Sequence, residues 1–341
     1  MKRFLWIGIP VFLLLLGILT AYLFFSHKGI SACDEENYFY IPTKTDKKAL
    51  FNKIKEDQDS WSQWSLPYIA QLMRFEDRQV KPGRYYWEES LSNLDFLRMI
   101  RSGRQQPLRL VIFRANDIAK LAGLAGSKLE PDSLEFLDHL SEPSIYRPLG
   151  FNKDNFLTLF IPNTYEFYWN TSPKAFLERM RKEHDEFWTD QRRKALDEQQ
   201  LNVKEAYILA SIIEKETRLK SERKTIAGVY LNRLRRGMLL QADPTVVFAM
   251  KGEGIRRVLN KHLKVDSPYN TYLYPGLPPG PVAMPSLASI DAVVFPEKHN
   301  YLYFCAKPGY DGGHAFASSL SGHNANARVY RSWLNKEGIY E

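Results

Sequence analysis

The sequence has few cysteines, Cys33 and Cys305 alone in 341 residues. Two cysteines so far apart give neither the framework of a small disulfide-rich protein nor the closely spaced ligands of a zinc site. His314 and His323 also stand without aspartate, cysteine or histidine at a recognisable ligand spacing. We therefore expect no metal site, and nothing in the sequence points to a cofactor.

The sequence also lacks a basic patch interleaved with aromatic residues, although its formal net charge is +8. Such patches are typical of surfaces that bind nucleic acid, so we expect no nucleic-acid partner. Low-complexity tracts and internal repeats are absent from the sequence as well. A positive balance of this size fits an anionic partner such as phospholipid head groups or a cell-wall polymer that carries carboxylates.

Long apolar runs are rare too, and one segment alone can cross a membrane. Residues 4–25 carry no charge, and 22 residues in a helix are enough for roughly 30 Å of hydrocarbon. The run is longer than the apolar core of a secretory signal, which favours an uncleaved anchor. Lys2 and Arg3 precede the run and acidic residues 34–36 follow it, so the positive-inside rule predicts a single-pass protein of the bacterial inner membrane. The amino terminus is then cytoplasmic, and the rest of the chain is periplasmic or otherwise extracytoplasmic.

Lipidation is an alternative to this anchor. The segment "ISAC", which ends at Cys33, loosely matches the box that precedes the lipidated cysteine of bacterial lipoproteins. Such a box should directly follow the apolar run, but Ser26, His27 and Lys28 separate the two. The spacing therefore favours the anchor.

Beyond the anchor the patterns predict an α+β protein with a small module and a larger domain. The small module combines strands with a helix that begins after Ser92 and stops at Gly103. In the larger domain we expect one long charged helix over 174–200 and a pair of helices over 204–220 and 221–236. The predicted organisation is a cytoplasmic start and anchor (1–28), a linker (29–37), a small module (38–113) and a larger domain (114–341).

Two glutamates in "ASIIEKETR" differ in the direction that a helix would give them. At 100° per residue, the aliphatic side chains of the segment from Ile208 to Leu219 form one stripe, centred at roughly 60°. Glu216 falls at roughly 80°, within this stripe, and Glu214 falls at roughly 240°, on the opposite side. Glu216 should therefore be buried, with a raised pKa that suits a general acid, whereas Glu214 can be solvated or pair with Arg218. The alternative for Glu216 is a buried ion pair with an arginine of "NRLRRG".

Several stretches closely resemble one known family. They are "ASIIEKET", "ERKTIAGVYLNRLRRGMLLQADPTVVFAM" and "YNTYLYPGLPPGPVAMPSLASIDAVVFP". Together they resemble the endolytic murein transglycosylases, the MltG or YceG-like family, over about 107–330. The upstream segments "KPGRYYW" and "LDFLRMIRSG" resemble the LysM-like part of that family. The resemblance implies that the small module is LysM-like and that the larger domain is catalytic.

The resemblance also implies an activity and a catalytic residue. Family members are anchored in the inner membrane and cut glycan strands of peptidoglycan internally, between N-acetylmuramic acid and N-acetylglucosamine. They leave a 1,6-anhydro-muramyl end, which makes them lyases that need no water as nucleophile. The catalytic glutamate of the family matches Glu216, which would act first as general acid and then as general base. The implied partners are glycan strands and cell-wall synthases.

Sugar binding needs polar and aromatic groups on firm loops, and residues of these types occur where the family has matching motifs. A role in loop structure is the alternative for all of them except Glu214, whose alternative is given above. The substrate-binding candidates are Glu214, Gln241, Asp243, Thr245, Tyr269, Asn270 and Tyr272.

Two other functions stay open. A muramidase-type hydrolase would use Glu216 together with Asp243, because ordinary glycoside hydrolysis takes two carboxyl groups. A scaffold without enzymatic activity would bind peptidoglycan through the LysM-like module and dock onto cell-wall synthases.

Overall fold

The computed structural model describes residues 2–31, 37–57, 59–113, 115–252 and 258–338, with side chains for all of these except 2–8 and 55–57. Cys33, and with it the alternative of lipidation, lies outside the described residues. The chain divides into two compact units. Unit 1 contains Met1–Arg109, Lys128–Pro131 and Glu166–Ser172, and unit 2 contains Leu110–Ser127, Asp132–Tyr165 and Pro173–Glu341.

Unit 1 combines helices with short antiparallel strands. Its helices are α1 (Lys2–Ser26), α2 (Lys47–Asp57), α3 (Ser60–Leu72) and α4 (Asn93–Ser102). Its strands are β1 (Lys28–Ile30), β2 (Tyr38–Ile41), β3 (Gly83–Tyr86) and β4 (Leu91–Ser92), with β1 paired to β4 and β2 paired to β3. Part of the predicted linker is therefore strand, since β1 occupies its first residues.

The helix predicted between Ser92 and Gly103 is confirmed in α4. The Ser92 hydroxyl accepts a hydrogen bond from the Asp95 amide at 3.1 Å, and Gly103 closes the helix with a left-handed φ of 68°. The helix turns Phe96 and Ile100 into a core that Phe39 of β2 shares. Burial of this apolar face, more than helix propensity, stabilises α4.

α1 is the one described helix that is long and apolar enough to cross a membrane. Its candidate span covers Ile9–Ser26, and the large apolar side chains along it are exposed. Toward its end, Phe24 and Phe25 pack against the core of unit 1. The helix is thus held by the unit at one end and projects an apolar surface along the rest.

Unit 2 is mainly helical. Its helices are α5 (Ile118–Gly126), α6 (Ser133–Ser141), α7 (Pro143–Tyr146), α8 (Pro173–Phe187), α9 (Asp190–Gln199), α10 (Val203–Glu216), α11 (Arg223–Arg235), α12 (Asp243–Ala249), α13 (Leu287–Val294) and α14 (Leu320–Lys336). Residues 110–112 of β5 (Leu108–Ile112) and 163–165 of β6 (Asn163–Phe167) belong to this unit, and the two strands pair. β7 (Tyr303–Ala306) pairs with β8 (His314–Ala317) in antiparallel orientation. The mixed α+β class is as predicted.

The single helix predicted over 174–200 is wrong, because the chain breaks between α8 and α9. Trp188 separates them and is buried, with 1% of its surface exposed. The next residue, Thr189, has extended backbone angles and accepts a hydrogen bond from the Arg192 amide, so it caps the start of α9. Charged residues continue on both sides of Thr189, so the sequence pattern gave no sign of a second helix start there.

The helix α10 forms the centre of unit 2. Asn202 and Glu205 form a capping box at its start, and the side chains from Ala206 to Ile213 are all buried. α10 packs against α11, α12 and α13, so it is covered on all sides. Residue Leu219, which the helical wheel placed on this helix, lies beyond its end.

Candidate functional site

Glu216 is the last residue of α10 and lies at the wall of a cleft. The chain leaves the helix immediately afterwards, because Thr217 has extended backbone angles. The cleft has a volume of about 1080 Å³. It is lined by Asn116, Asp117, Lys215, Glu216, Asp243, Pro244, Val247, Phe248, Ala249, Lys251, Gly252, Val258, Ser267, Tyr269 and Val282. A carboxyl group at a helix end thus meets a space large enough for part of a polysaccharide chain.

The Glu216 carboxyl is largely withdrawn from water. Its Oε2 atom is inaccessible to solvent and has no hydrogen-bond partner among the described residues. Burial, together with the negative charge of Asp243, raises the pKa of Glu216 from its ordinary value of 4.5 to about 8. Hydrogen bonding from Tyr230 and the charge of Arg233 oppose this shift of the pKa only in part. The side chain is therefore mostly protonated at neutral pH, as a general acid must be.

Among the described residues, Glu216 forms no ion pair with an arginine of "NRLRRG", which was the predicted alternative. Arg233 is the nearby arginine, and its guanidinium donates to the backbone carbonyls of Leu302 and Leu240 at 2.6 and 2.8 Å. It also donates to the Gln241 side chain at 3.4 Å. These acceptors hold Arg233 in place, so its charge acts on Glu216 without a direct salt bridge.

Glu214 is not solvated and does not pair with Arg218, which corrects both expectations for it. Its carboxylate accepts hydrogen bonds from the Ser286 amide at 3.0 Å and from the Ser289 hydroxyl at 2.8 Å. Arg223, with 7% of its side chain exposed, completes the arrangement as an ion pair at 3.2 Å. Burial raises the pKa of Glu214, but the hydrogen bonds and the arginine outweigh it and lower the pKa overall.

The two glutamates therefore have opposite environments, two residues apart. Glu214 ties the end of α10 to α11 and α13, whereas Glu216 is left with an unpaired oxygen at the cleft. Glu214 is absent from the lining of the cleft, so its position favours a structural role over the predicted contact with substrate.

Asp243 shares the cleft with Glu216. It is the first residue of α12, is exposed, and accepts a hydrogen bond of 2.6 Å from the Tyr272 hydroxyl. Burial, together with that hydrogen bond, raises the pKa of Tyr272, so the phenol stays a donor. The structure thus brings together Glu216, Asp243 and Tyr272 from three separate parts of the sequence.

Tyr269 also lines the cleft. Its ring lies 4.7 Å from that of Phe248 between centroids, and burial raises the pKa of its hydroxyl to about 12. Gly280 gives this hydroxyl room, because a Cβ atom at position 280 would meet the Asp154 carbonyl and lie 2.8 Å from the Tyr269 oxygen. Val282 continues the same wall, and its amide is bound to Ser211 of α10. Two adjoining aromatic rings on a firm wall are suited to a sugar face.

Three other predicted contacts serve the loops around the cleft. Thr245 is fully buried, and its hydroxyl bonds to the Ala242 carbonyl and to Thr271. Asn270 is fully buried too, with its amide donating to the carbonyls of Leu263 and Val265. Their polar groups are satisfied inside the protein, which favours the alternative of a role in loop structure.

Gln241 likewise takes part in the local backbone. It has a left-handed φ of 52°, and its amide donates to the Thr271 carbonyl. It does not belong to the lining of the cleft.

His314, outside this region, forms a hydrogen bond with Glu222 through Nδ1 at 2.8 Å. This hydrogen bond ties the start of β8 to the start of α11, so packing and hydrogen bonding account for the histidine.

Tyr230 of α11 and the lysines Lys215 and Lys251 were not among the predicted site residues, whereas Arg233 was one of the arginines of "NRLRRG" considered as partners of Glu216. Tyr230 and Arg233 act on the pKa of Glu216 from a neighbouring helix. The regular helical pattern of α11 gives no signal that Tyr230 contacts Glu216. The two lysines line the cleft and supply positive charge where an anionic substrate would lie.

Comparison with known proteins identifies the family. The model of the YceG-like family matches residues 39–329. The chain belongs to the YceG-like family. A YceG-like protein from Listeria monocytogenes has a crystal structure with a TM-score of 0.55 to this chain and 29% identity, covering 84% of this chain and 97% of that one. The suspected family is thus confirmed, while the LysM-like character of the small module stays a prediction.

Two curated relatives carry the name endolytic murein transglycosylase. The one from Bacillus subtilis is 38% identical over 177 residues, which are 52% of this chain and 48% of the relative. The one from Streptococcus pneumoniae serotype 2 is 38% identical over 140 residues, which are 40% of this chain and 25% of the relative. The matched segments thus span about half and a quarter of these relatives.

Proposed function

We propose that this YceG-like chain is an endolytic lytic transglycosylase of peptidoglycan, a lyase acting on polysaccharide. The observation that carries the proposal is the Glu216 carboxyl, with a pKa raised to about 8 and an unpaired oxygen at the wall of a large cleft. The names of the two curated relatives support the same activity. The proposed substrate is a glycan strand, cut between N-acetylmuramic acid and N-acetylglucosamine.

One carboxyl group is enough for this reaction. Protonated Glu216 donates its proton to the glycosidic oxygen, and the bond from that oxygen to the muramyl anomeric carbon breaks. The resulting Glu216 carboxylate then accepts the proton of the muramyl 6-hydroxyl, whose oxygen bonds to the anomeric carbon. The products are a free N-acetylglucosamine hydroxyl and a 1,6-anhydro-muramyl end, and Glu216 is protonated again. No water is consumed.

The neighbours of Glu216 supply charge and position. Asp243 keeps the carboxyl protonated by raising its pKa and places negative charge beside the developing positive charge of the sugar ring. Tyr269 and Phe248 offer a sugar-binding face, and Tyr272 holds Asp243 in place. Lys215, at the cleft, is suited to carboxylates on the muramyl residues.

α1 is the proposed anchor of the enzyme. Its apolar length supports a single-pass arrangement, and Lys2 and Arg3 support a cytoplasmic amino terminus in the inner membrane. Unit 2 and the part of unit 1 that follows α1 would then be extracytoplasmic, on the same side as the peptidoglycan. Unit 1 would be the LysM-like module that positions glycan or orients the enzyme, and cell-wall synthases are the proposed protein partners.

A hydrolase is the second candidate, because Asp243 and Glu216 line the same cleft and could activate water and protonate the leaving group. A scaffold without activity is the third. Digestion of purified glycan strands, followed by mass analysis of the fragments, separates the three. We expect 1,6-anhydro ends; reducing ends would favour the hydrolase, and intact strands the scaffold.

Glu216→Gln should abolish cleavage, since an amide cannot donate the proton. Glu214→Gln is the matched control, two residues away on the same helix. We expect it to retain the 1,6-anhydro product wherever it remains folded, as judged by circular dichroism. If Glu216→Gln still cleaves while a folded Glu214→Gln does not, the proposed catalytic residue is wrong.

A further inference from the structure

One face of α3 exposes an apolar surface without a charged residue. The helix has the sequence SWSQWSLPYIAQL, and its inner side packs into the core of unit 1 through side chains such as Leu66 and Ile69. The outer side carries Trp61, Trp64, Tyr68 and Leu72, whose exposed fractions are 41%, 54%, 52% and 68%. We call these four residues the α3 ridge.

The ridge is continuous rather than a scatter of exposed side chains. Its four residues fall within roughly 80° of one another at 100° per residue, and they extend over about 16 Å of helix. The rings of Trp61 and Trp64 lie 5.4 Å apart between centroids, as do those of Trp64 and Tyr68. A contiguous exposed patch of this kind marks a site of interaction.

The end of α1 lies against the ridge. The Phe24 ring is 6.1 Å from that of Trp61 and 6.0 Å from that of Trp64. His27, just beyond the helix, contacts Trp61 at 5.9 Å and bonds to Asp59, the residue that caps α3. The contacts fix α3 beside the last turn of the apolar helix.

This position determines the depth of the ridge in a membrane. The uncharged run 4–25 of α1 is about 33 Å long at the helical rise, enough for the hydrocarbon thickness of a bilayer. Phe24 is then within a helical turn of the boundary, so Trp61 and Trp64 reach the head-group region. Tryptophan and tyrosine are the residues that favour this region, because their rings are apolar and their polar atoms stay hydrated.

We propose that the α3 ridge lies on the outer surface of the lipid bilayer as an interfacial helix. The proposal rests on the α1 anchor proposed above. It gives unit 1 two attachments to the membrane instead of one, so that the unit cannot swivel freely about the end of α1. Unit 1 is thereby held at a fixed tilt to the membrane.

The test uses the full chain in vesicles of equal parts phosphatidylcholine and phosphatidylglycerol, with acyl chains brominated near the head group to quench tryptophan. The chain has seven tryptophans, including Trp6 in the apolar run. Trp61→Phe/Trp64→Phe removes two of them. If both rings lie at the interface, the quenched fraction of the emission should fall by about half in this variant.

Trp87→Phe is the matched control, because Trp87 is buried in the core of the same unit, with 6% exposed. Its removal should raise the quenched fraction slightly. A rise of the quenched fraction in the double variant as well would overturn the proposal. If the double variant also loses quenching by aqueous iodide, the ridge faces water. If its iodide quenching is unchanged, other protein covers the ridge. Flotation of the vesicles reports on α1 separately. Failure to float would remove the anchor and the ridge proposal with it, whereas flotation without the expected fall would overturn the ridge proposal alone.

Discussion

Glu216→Gln should make unit 2 more resistant to unfolding at alkaline pH while abolishing activity. The folded protein holds the Glu216 proton with a pKa of about 8, against an ordinary value of 4.5. Between these two pH values the unfolded chain has released this proton and the folded chain has kept it. The wild type therefore loses stability as pH rises through the window, and the full loss is present above pH 8. Glutamine does not titrate, so the variant escapes this loss.

The magnitude follows from the shift of the pKa. At 1.36 kcal/mol per pKa unit, the move from 4.5 to about 8 corresponds to about 4–5 kcal/mol. The free energy of unfolding of Glu216→Gln minus that of the wild type should increase by about this amount between pH 4 and pH 9. Any fixed cost of placing an amide in the site is the same at both pH values and cancels in this comparison.

Urea unfolding of the full chain in detergent micelles, repeated across this pH range, measures the difference. Glu214→Gln is the control of opposite sign, because the pKa of Glu214 is lowered in the folded state. Its carboxylate stabilises the fold above the ordinary pKa of 4.5, and this stabilisation is lost as pH falls through the lowered value. A difference for Glu216→Gln that stays constant with pH would refute the burial of an uncharged carboxyl group.

Three further changes test the neighbours of the site. Asp243→Asn removes the negative charge that helps to raise the pKa of Glu216. The alkaline limb of the plot of kcat/KM against pH should therefore move to lower pH, and an unmoved limb would show that Asp243 has no such effect. Arg223→Met leaves the half-buried carboxylate of Glu214 without its cation and should lower the free energy of unfolding by about 2 kcal/mol in urea unfolding; a change below measurement error would contradict the importance of that ion pair. Gly280→Ala places a Cβ against a neighbouring carbonyl and should cost about 1–3 kcal/mol. Gly123→Ala, inside α5 with open space around the Cβ, should stabilise by about 0.5–1 kcal/mol; equal effects would contradict the close packing of the cleft wall.

The sequence predicted the local elements with recognisable end signals. Ser92 and Gly103 delimit α4 as expected. The break at Trp188 and Thr189 was missed, since a cap inside a charged helical pattern resembles ordinary surface sequence. A helix end marked by glycine was therefore predictable from the sequence. A helix start marked by a threonine between two similar charged helices was not.

The site was predictable in part. The angular positions in the helix correctly predicted that Glu216 points toward packed side chains. They also suggested that the side carrying Glu214 faces solvent, which is not so. That side is covered by α13, a contact between segments some 70 residues apart, and no periodicity within α10 reveals it. Asn270 and Thr245 show the same limit. Their residue types suit both sugar binding and loop structure, and only their tertiary hydrogen bonds distinguish the two roles.

Digestion of purified glycan strands in water enriched in ¹⁸O tests the central claim most directly. If the Glu216 carboxylate accepts the proton of the muramyl 6-hydroxyl and no water attacks the anomeric carbon, the new ends carry 1,6-anhydro rings without ¹⁸O. Mass spectrometry of the fragments reads this out in one experiment. Incorporation of ¹⁸O at the new muramyl ends would mean that water is the nucleophile, and the single-carboxyl mechanism would be wrong.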